Sequence, residues 1–523
     1  MVASAESSSA DWQWAEEIPG GGRALLWVPP KAERVRGALI GCQVVLEKTV
    51  LDDPRIREAA ADLDLAMVLV VDSPLSQFNY DPNGKSRAAD ALEVTLRHLA
   101  QVSGYSEIAQ VPLLPLGHSG EGNFVWRMAY ANPGRLLGGI VLHAAPMTSP
   151  PPYDPKAKAV GVPLLNITGQ WESWSPKENL DRHWFWVRGS VLDLRGRVPE
   201  SLVGVVVQPG CGHFSWNETL AGCVAAFIRG AVSLRLPDRD GEPLRAAPET
   251  AGWLADSNLL DPQRHGPAPY AGYQGDRSLA FWYPDGETAR RATAIAADLA
   301  SKAPQMLTFI ENGQPQVPAW CIDLKNLKPA ADGITYQVQA DFVTSMPTGT
   351  RDAGRPLGHA PGPGITFHRA GGNGGGGERV GADLFRVRYD QLGFSRNKGI
   401  LVLASHPGDL HFAPTEIAAQ ILIPERIAGR AQTLHFREIP DLPRNGGDLT
   451  LQASSDAELP VSYAVLRGPV EVEGNRLRIT RIPARARFPL TVTVAAWQRG
   501  QDGEDPVQTA RPVEQSFHIT NSK

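Results

Sequence analysis

Cysteine is scarce: Cys42, Cys211, Cys223 and Cys321 are the only four in 523 residues. Such a density suits neither a disulfide scaffold nor a zinc module, and no metal or cofactor is expected. Cys211 and Cys223 flank a histidine, where a bridge could pin a loop. Spacing does not supply the Cα separation a bridge needs, so four free, buried thiols are expected. Basic charge is not in excess either. Lys and Arg total 51 against 56 Asp and Glu, for a net charge of −5. That argues against a nucleic-acid partner, which calls for a basic surface. No uninterrupted apolar run is long enough to span a membrane. The start, Met1 to Ala10, is small and polar and lacks the basic n-region and apolar h-region of a signal peptide.

What remains is an ordinary globular composition, 42% hydrophobic and 20% charged. The length exceeds what one core supports, so roughly two to four domains are expected. Through about residue 230, apolar runs alternate with helical patterns. Strands are expected at 24–30, 37–43, 65–72, 111–117, 137–145, 162–168 and 202–207. Helices are expected at 54–63, 88–102, 175–187 and 215–229. The unbroken run from Leu65 to Val71 suits a strand buried on both faces, and Leu92, Leu96 and Leu99 recur at helical spacing. Alternation of this kind predicts an α/β unit with a mostly parallel sheet and helices on both faces, where chemistry gathers at the carboxyl ends of strands.

Those ends carry the informative residues. Leu113-Leu114-Pro115-Leu116-Gly117-His118-Ser119-Gly120-Glu121-Gly122 is an apolar run, a small-residue turn with a serine at its apex, and then a helical stretch. A serine hydroxyl is a poor nucleophile until it is exposed beside a base, with N–H groups aimed at the developing oxyanion. Strand, sharp turn and helix supply that setting. The 162–168 strand is followed by Gly169-Gln170-Trp171-Glu172. The 202–207 strand is followed by Gln208-Pro209-Gly210-Cys211-Gly212-His213-Phe214. The chain order is therefore Ser119, Glu172, His213. Glu178 and Asp181 lie close behind Glu172 as other carboxylates.

Together these residues resemble the α/β-hydrolase superfamily over about 20–230. The resemblance departs at one position: the usual Gly-x-Ser-x-Gly has Glu121 in place of its second glycine, with Gly120 and Gly122 on either side. It implies a cofactor-free serine hydrolase with Ser119 as nucleophile, His213 as base and Glu172 orienting the imidazole. The implied oxyanion donors are the Gly120 N–H and one from Cys42 or Gln43. Five of the 13 tryptophans fall between 171 and 216; Trp171, Trp174 and Trp216, with His118, are the expected substrate-binding residues. Flat aromatic walls suit a sugar ring or an aromatic acyl group, so acyl or feruloyl esters of plant polysaccharide are the expected substrates. The same residues would serve an aromatic polyester, a lactone or an amide. A non-catalytic carbohydrate-binding or adhesive protein on a degenerate scaffold is the other reading.

The texture changes after residue 233. The expected division is 1–233 catalytic, 234–302 a linker or wrapping segment with one helix at 286–302, 303–430 a β-sandwich, and 431–523 a smaller antiparallel sandwich. The glycine run at 371–378 is expected to be a loop. Leu459 to Asn475 resembles bacterial immunoglobulin-like repeats of secreted and cell-surface proteins. That resemblance implies a secreted or periplasmic location and contact with carbohydrate or a cell surface through the β units.

Overall fold

The computed structural model describes residues 12–522 apart from 20, 43–45, 79–80, 82–84, 152–153, 173–181, 240, 349–352, 371–376, 390–398 and 424. Its N-terminal part is built on eight strands: β1 (Trp14–Glu17), β2 (Arg23–Trp27), β3 (Gly37–Gly41), β4 (Leu65–Val71), β5 (Leu113–His118), β6 (Gly139–Leu142), β7 (Leu164–Gly169) and β8 (Val203–Gln208). They form one sheet in the order β1-β2-β4-β3-β5-β6-β7-β8. β2 pairs antiparallel with β1 and β4, and every other pairing is parallel. Every residue of β3 to β8 is buried, which is why these strands read as continuous apolar runs rather than alternating ones.

The helices are α1 (Leu46–Asp52), α2 (Pro54–Asp62), α3 (Arg87–Ser103), α4 (Gly122–Ala131), α5 (Arg182–Arg197) and α6 (Glu218–Arg235). Their limits are set locally. The Asp53 carboxylate accepts the Arg55 N–H ahead of Pro54, the first helical residue of α2. Ser86 caps α3, which ends on Gly104 at φ 87°. Asn217 caps α6 by accepting the Leu220 N–H at 3.0 Å. The fold class is thus an α/β unit with a mostly parallel sheet, followed by smaller β-sheets. Sequence periodicity did not reveal β1, which is four residues long and pairs with β2, or α1. Among the described residues, no helix is long and apolar enough to cross a membrane.

The segment expected as linker has structure of its own. β9 (Trp253–Asp256), β10 (Ala268–Pro269) and β11 (Ala280–Tyr283) form a sheet in the order β10-β9-β11. The expected 286–302 helix stops at Ile295 as α7 (Gly286–Ile295), followed by a short turn of helix at Asp298–Ser301. Tyr283 donates its hydroxyl to the Val205 carbonyl at 2.6 Å, fastening β11 to β8.

Among the described residues, 307–422 form three sheets. They share a core that includes Phe309, Phe385, Ile400, Val402 and Ile421. Thr415–Leu422 lies between Ile322–Leu324, its parallel neighbour, and Gly399–His406. Of the expected glycine loop, 371–376 lie outside the described residues, and Gly377–Arg379 is a strand paired with Leu384–Val387. Pairing satisfies the backbone there whatever the local flexibility of glycine. Among the described residues, the last segment contributes sheets of four, three and two strands, and inward residues, among them Val470, Leu477, Val492 and Phe517, lie in one apolar cluster. It meets the chain just after α3 through the Tyr105 hydroxyl, which accepts the Arg485 N–H at 3.1 Å and donates to the Ala32 carbonyl at 3.0 Å.

Candidate active site

Four adjacent strands deliver the site. Ser119 follows β5, His143 follows β6, and Glu172 and His213 lie on the loops after β7 and β8. Ser119 has φ 54°, a left-handed conformation that a non-glycine residue adopts only under constraint, at a cost of about 1–3 kcal/mol. The constraint is visible. A Cβ on Gly117 would lie 2.1 Å from the Glu121 carbonyl oxygen, so the chain doubles back too tightly for any side chain there. Where the resemblance led one to expect a second glycine at 121, the close approach falls at Gly122. A Cβ at that position would stand 2.6 Å from the Ala144 Cβ. Glu121 escapes the crowding, and its carboxylate lies 3.9 Å from the Cys42 sulfur.

Glu172 is buried and fully engaged. Its Oε1 lies 2.8 Å from His213 Nδ1; its Oε2 accepts the Gly169 N–H at 2.9 Å and lies 3.0 Å from His143 Nδ1. His143 Nε2 is 3.0 Å from the Ser215 carbonyl oxygen. A carbonyl can only accept, so His143 Nε2 carries a proton. Nδ1 faces a carboxylate and carries the second. The basicity of His143 is raised: burial opposes its charge, but the attraction and hydrogen bond of Glu172 outweigh burial. Glu172 is likewise held well below the usual carboxylate range, burial being overcome by His143 and then His213. The carboxylate is therefore shared between two imidazoles, one of them a buried cation.

Periodicity did not single out His143, because the strand was expected to run to Ala145. It stops at Leu142 since His143 turns to φ 49°. The only signal available was a histidine at the end of an apolar run.

The other expected residues separate into distinct places. His118, expected to line a pocket, is 3% exposed. Its Nε2 donates to the His213 carbonyl at 2.8 Å, and its ring centroid is 4.6 Å from that of His213. Burial, followed by the nearby imidazoles, lowers its basicity well below normal. The elbow turns Ser119 outward and leaves its predecessor beneath the histidine loop. Trp216, 7% exposed, donates its indole N–H to Asp53 at 3.1 Å and fastens the start of α6 to the start of α2. Trp171, 6% exposed, is covered by Met306 and Met346. Neither presents an open wall, because neighbouring elements close over both. Gly120 is exposed, and Cys42 is buried. Trp174, Gln43, Glu178 and Asp181 lie outside the described residues. All four cysteines are free thiols, Cys321 half-buried and the others buried.

Glu47, from α1, is bonded to the chain just before Ser119. Its Oε1 accepts the His118 N–H at 2.7 Å, and its Oε2 has no partner among the described residues. Burial pushes its carboxyl up to about 8. A carboxyl raised on folding contributes stability that is complete below its unfolded value near 4.5 and is lost as pH rises through 8. Wild type is therefore expected to lose stability between pH 5 and 9 relative to Glu47→Gln, whose amide oxygen still accepts the His118 N–H. The limiting difference is about 1.4 kcal/mol per unit of upward shift. Urea midpoints of the two proteins across that range test this, and parallel pH dependences would overturn it.

No protein-family model matches the chain, and no curated protein matches it. Solved structures similar to part of it include the fluorophosphonate-binding serine hydrolase FphF of Staphylococcus aureus, at 14% identity over 42% of this chain and 96% of that one, with a TM-score of 0.29. The poly(3-hydroxybutyrate) depolymerase LpqC of Bordetella parapertussis is 17% identical over 42% of this chain and 87% of its own, with a TM-score of 0.28. Est1E of Butyrivibrio proteoclasticus is 13% identical over 42% of this chain and all of its own, with a TM-score of 0.29.

Proposed function

We propose that the chain is a serine hydrolase of carboxylic esters that works through an acyl-enzyme. The observation that carries this is the pairing of His213 Nδ1 with the buried Glu172 carboxylate at 2.8 Å, together with a serine held at positive φ at the end of the central strand β5. With Nδ1–H committed to Glu172, the His213 Nε2 lone pair is left to act as base. Ser119 Oγ bonds to the ester carbonyl carbon as Nε2 takes the hydroxyl proton. The tetrahedral intermediate collapses, the carbon–alkoxy bond breaks, and His213 returns the proton to the departing alcohol oxygen. Water then repeats the sequence and releases the acid. The Gly120 N–H, with one from Cys42 or Gln43, is the proposed oxyanion site.

Acyl or feruloyl esters of plant polysaccharide are the proposed substrates, and the cell exterior or periplasm the proposed location. The likeness of 459–475 to immunoglobulin-like repeats supports both, with the β units as surfaces for carbohydrate or cell contact. Burst-phase hydrolysis of p-nitrophenyl acetate and intact mass after a fluorophosphonate test the central reading. A burst and one adduct on wild type are expected, with both absent in Ser119→Ala. No adduct on wild type and equal rates in the two proteins would overturn it.

A further inference from the structure

Trp320 is a large side chain left 52% exposed, yet it touches the candidate base. Its ring centroid lies 5.5 Å from that of His213, edge-on at 71°. It is stacked on Phe214 at 5.5 Å and 26°. Packing alone does not account for it, since about half of the indole remains in solvent, where its apolar area adds nothing to the core. Its place is nonetheless fixed. The histidine loop is bound to the strand Thr415–Leu422: the Glu416 N–H donates to the Gly210 carbonyl at 2.9 Å, and Thr415 Oγ1 donates to the same oxygen at 3.3 Å. Gly210 has φ 63°, and a Cβ there would stand 1.9 Å from the Pro414 carbonyl oxygen, so the two backbones meet without space between them. That strand pairs in register with Ile322–Leu324, Ile322 opposite Ala419, and Trp320 lies two residues before Ile322. The contact between Trp320 and His213 is thus relayed through paired backbone from the β-rich segment to the histidine loop.

We infer that Trp320 walls the leaving-alcohol subsite and favours esters whose alcohol carries a flat ring. The inference rests on the serine-hydrolase reading. In that mechanism His213 donates its proton to the alcohol oxygen, so the alcohol, rather than the acyl chain, lies within hydrogen-bond reach of the imidazole. Aromatic faces attract one another over centroid separations of about 4.5–7 Å, so a ring carried on that oxygen is the group Trp320 is placed to meet. An aryl group presents a π face, and a sugar ring presents a face of C–H groups that packs on an indole. The β-rich segment is then part of the enzyme's site.

The test compares acetate esters, so that only the alcohol varies: ethyl acetate, benzyl acetate and a methyl glucoside 6-acetate. Methyl ferulate places the ring on the acyl side. Trp320→Ala is expected to lower kcat/KM about tenfold on benzyl acetate, on the glucoside acetate or on both, mainly through KM. Ethyl acetate is expected to change less than about twofold. Trp320→Phe is expected to retain most of the ring preference. Which ester responds identifies the alcohol as aryl or sugar. An equal fall on ethyl acetate, or one confined to methyl ferulate, overturns the assignment. Fluorophosphonate labelling of Ser119 separates the two readings. Labelling at the wild-type rate in Trp320→Ala with no ring discrimination in wild type sinks only the Trp320 subsite. A wild type that never labels sinks the hydrolase itself.

Discussion

Glu172→Gln is expected to lower kcat on an ester by about 10⁴-fold with KM little changed. The direction follows from how the amide must seat itself. At the Oε2 position stand two donors, the Gly169 N–H at 2.9 Å and the protonated Nδ1 of His143 at 3.0 Å. The amide oxygen goes there, and the NH₂ group is left facing His213 Nδ1. An NH₂ donates, so Nδ1 must supply its lone pair and the His213 proton moves to Nε2. The imidazole then has no lone pair to offer Ser119. Volume and shape are kept, so the effect reports the tautomer rather than a collapsed site. His143 adds a second consequence. In the variant its cationic charge loses the carboxylate that sustains it, and the basicity of His143 falls. Kinetics with a soluble ester and thermal melts of both proteins check this. A loss of less than tenfold in kcat would show that something other than Glu172 sets the His213 tautomer.

Gly117→Ala is the second large effect, and it acts on the turn. The added methyl would stand 2.1 Å from the Glu121 carbonyl oxygen and 2.5 Å from its carbon, both backbone atoms with no rotamer to yield. The strand end or the first turn of α4 must move, at about 1–3 kcal/mol of stability. Ser119 moves with it, and displacement of a nucleophile by about an ångström costs on the order of 10² in rate. Gly120→Ala is the stability control, because a Cβ there meets nothing within 4 Å, and its midpoint is expected within about 0.5 kcal/mol of wild type. Urea midpoints of the three proteins and kcat/KM of Gly117→Ala check the pair. An alanine at 117 that is neutral in both readouts would show that the elbow has slack the geometry denies.

The strands of the central sheet were legible because each is buried on both faces, and burial of that kind leaves an unbroken apolar run in the sequence. That Ser119, Glu172 and His213 stand just past strand ends was legible for a related reason: each follows an apolar run, and in a parallel sheet the carboxyl ends of strands are where to look for chemistry. The limits of helices were legible where a side chain caps its own backbone, as at Asp53, Ser86 and Asn217.

What only the tertiary structure decided depends on contacts between segments far apart in sequence. Glu121 broke the expected pattern, but the glycine that crowding demands turned out to be Gly122, pressed against Ala144 of another element. His143 became a partner of Glu172 because β6 and β7 are neighbours in the sheet, a pairing no local pattern records. Trp171 and Trp216 look like pocket walls when only the chain is read, and both are closed over, one by methionines from beyond residue 300 and the other by its bond to Asp53. Trp320, which the sequence did not single out, reached His213 because two distant backbones meet at Gly210. Periodicity encodes which face of an element is buried; it does not encode what buries it, and in this chain the β-rich segment supplies that at the histidine loop.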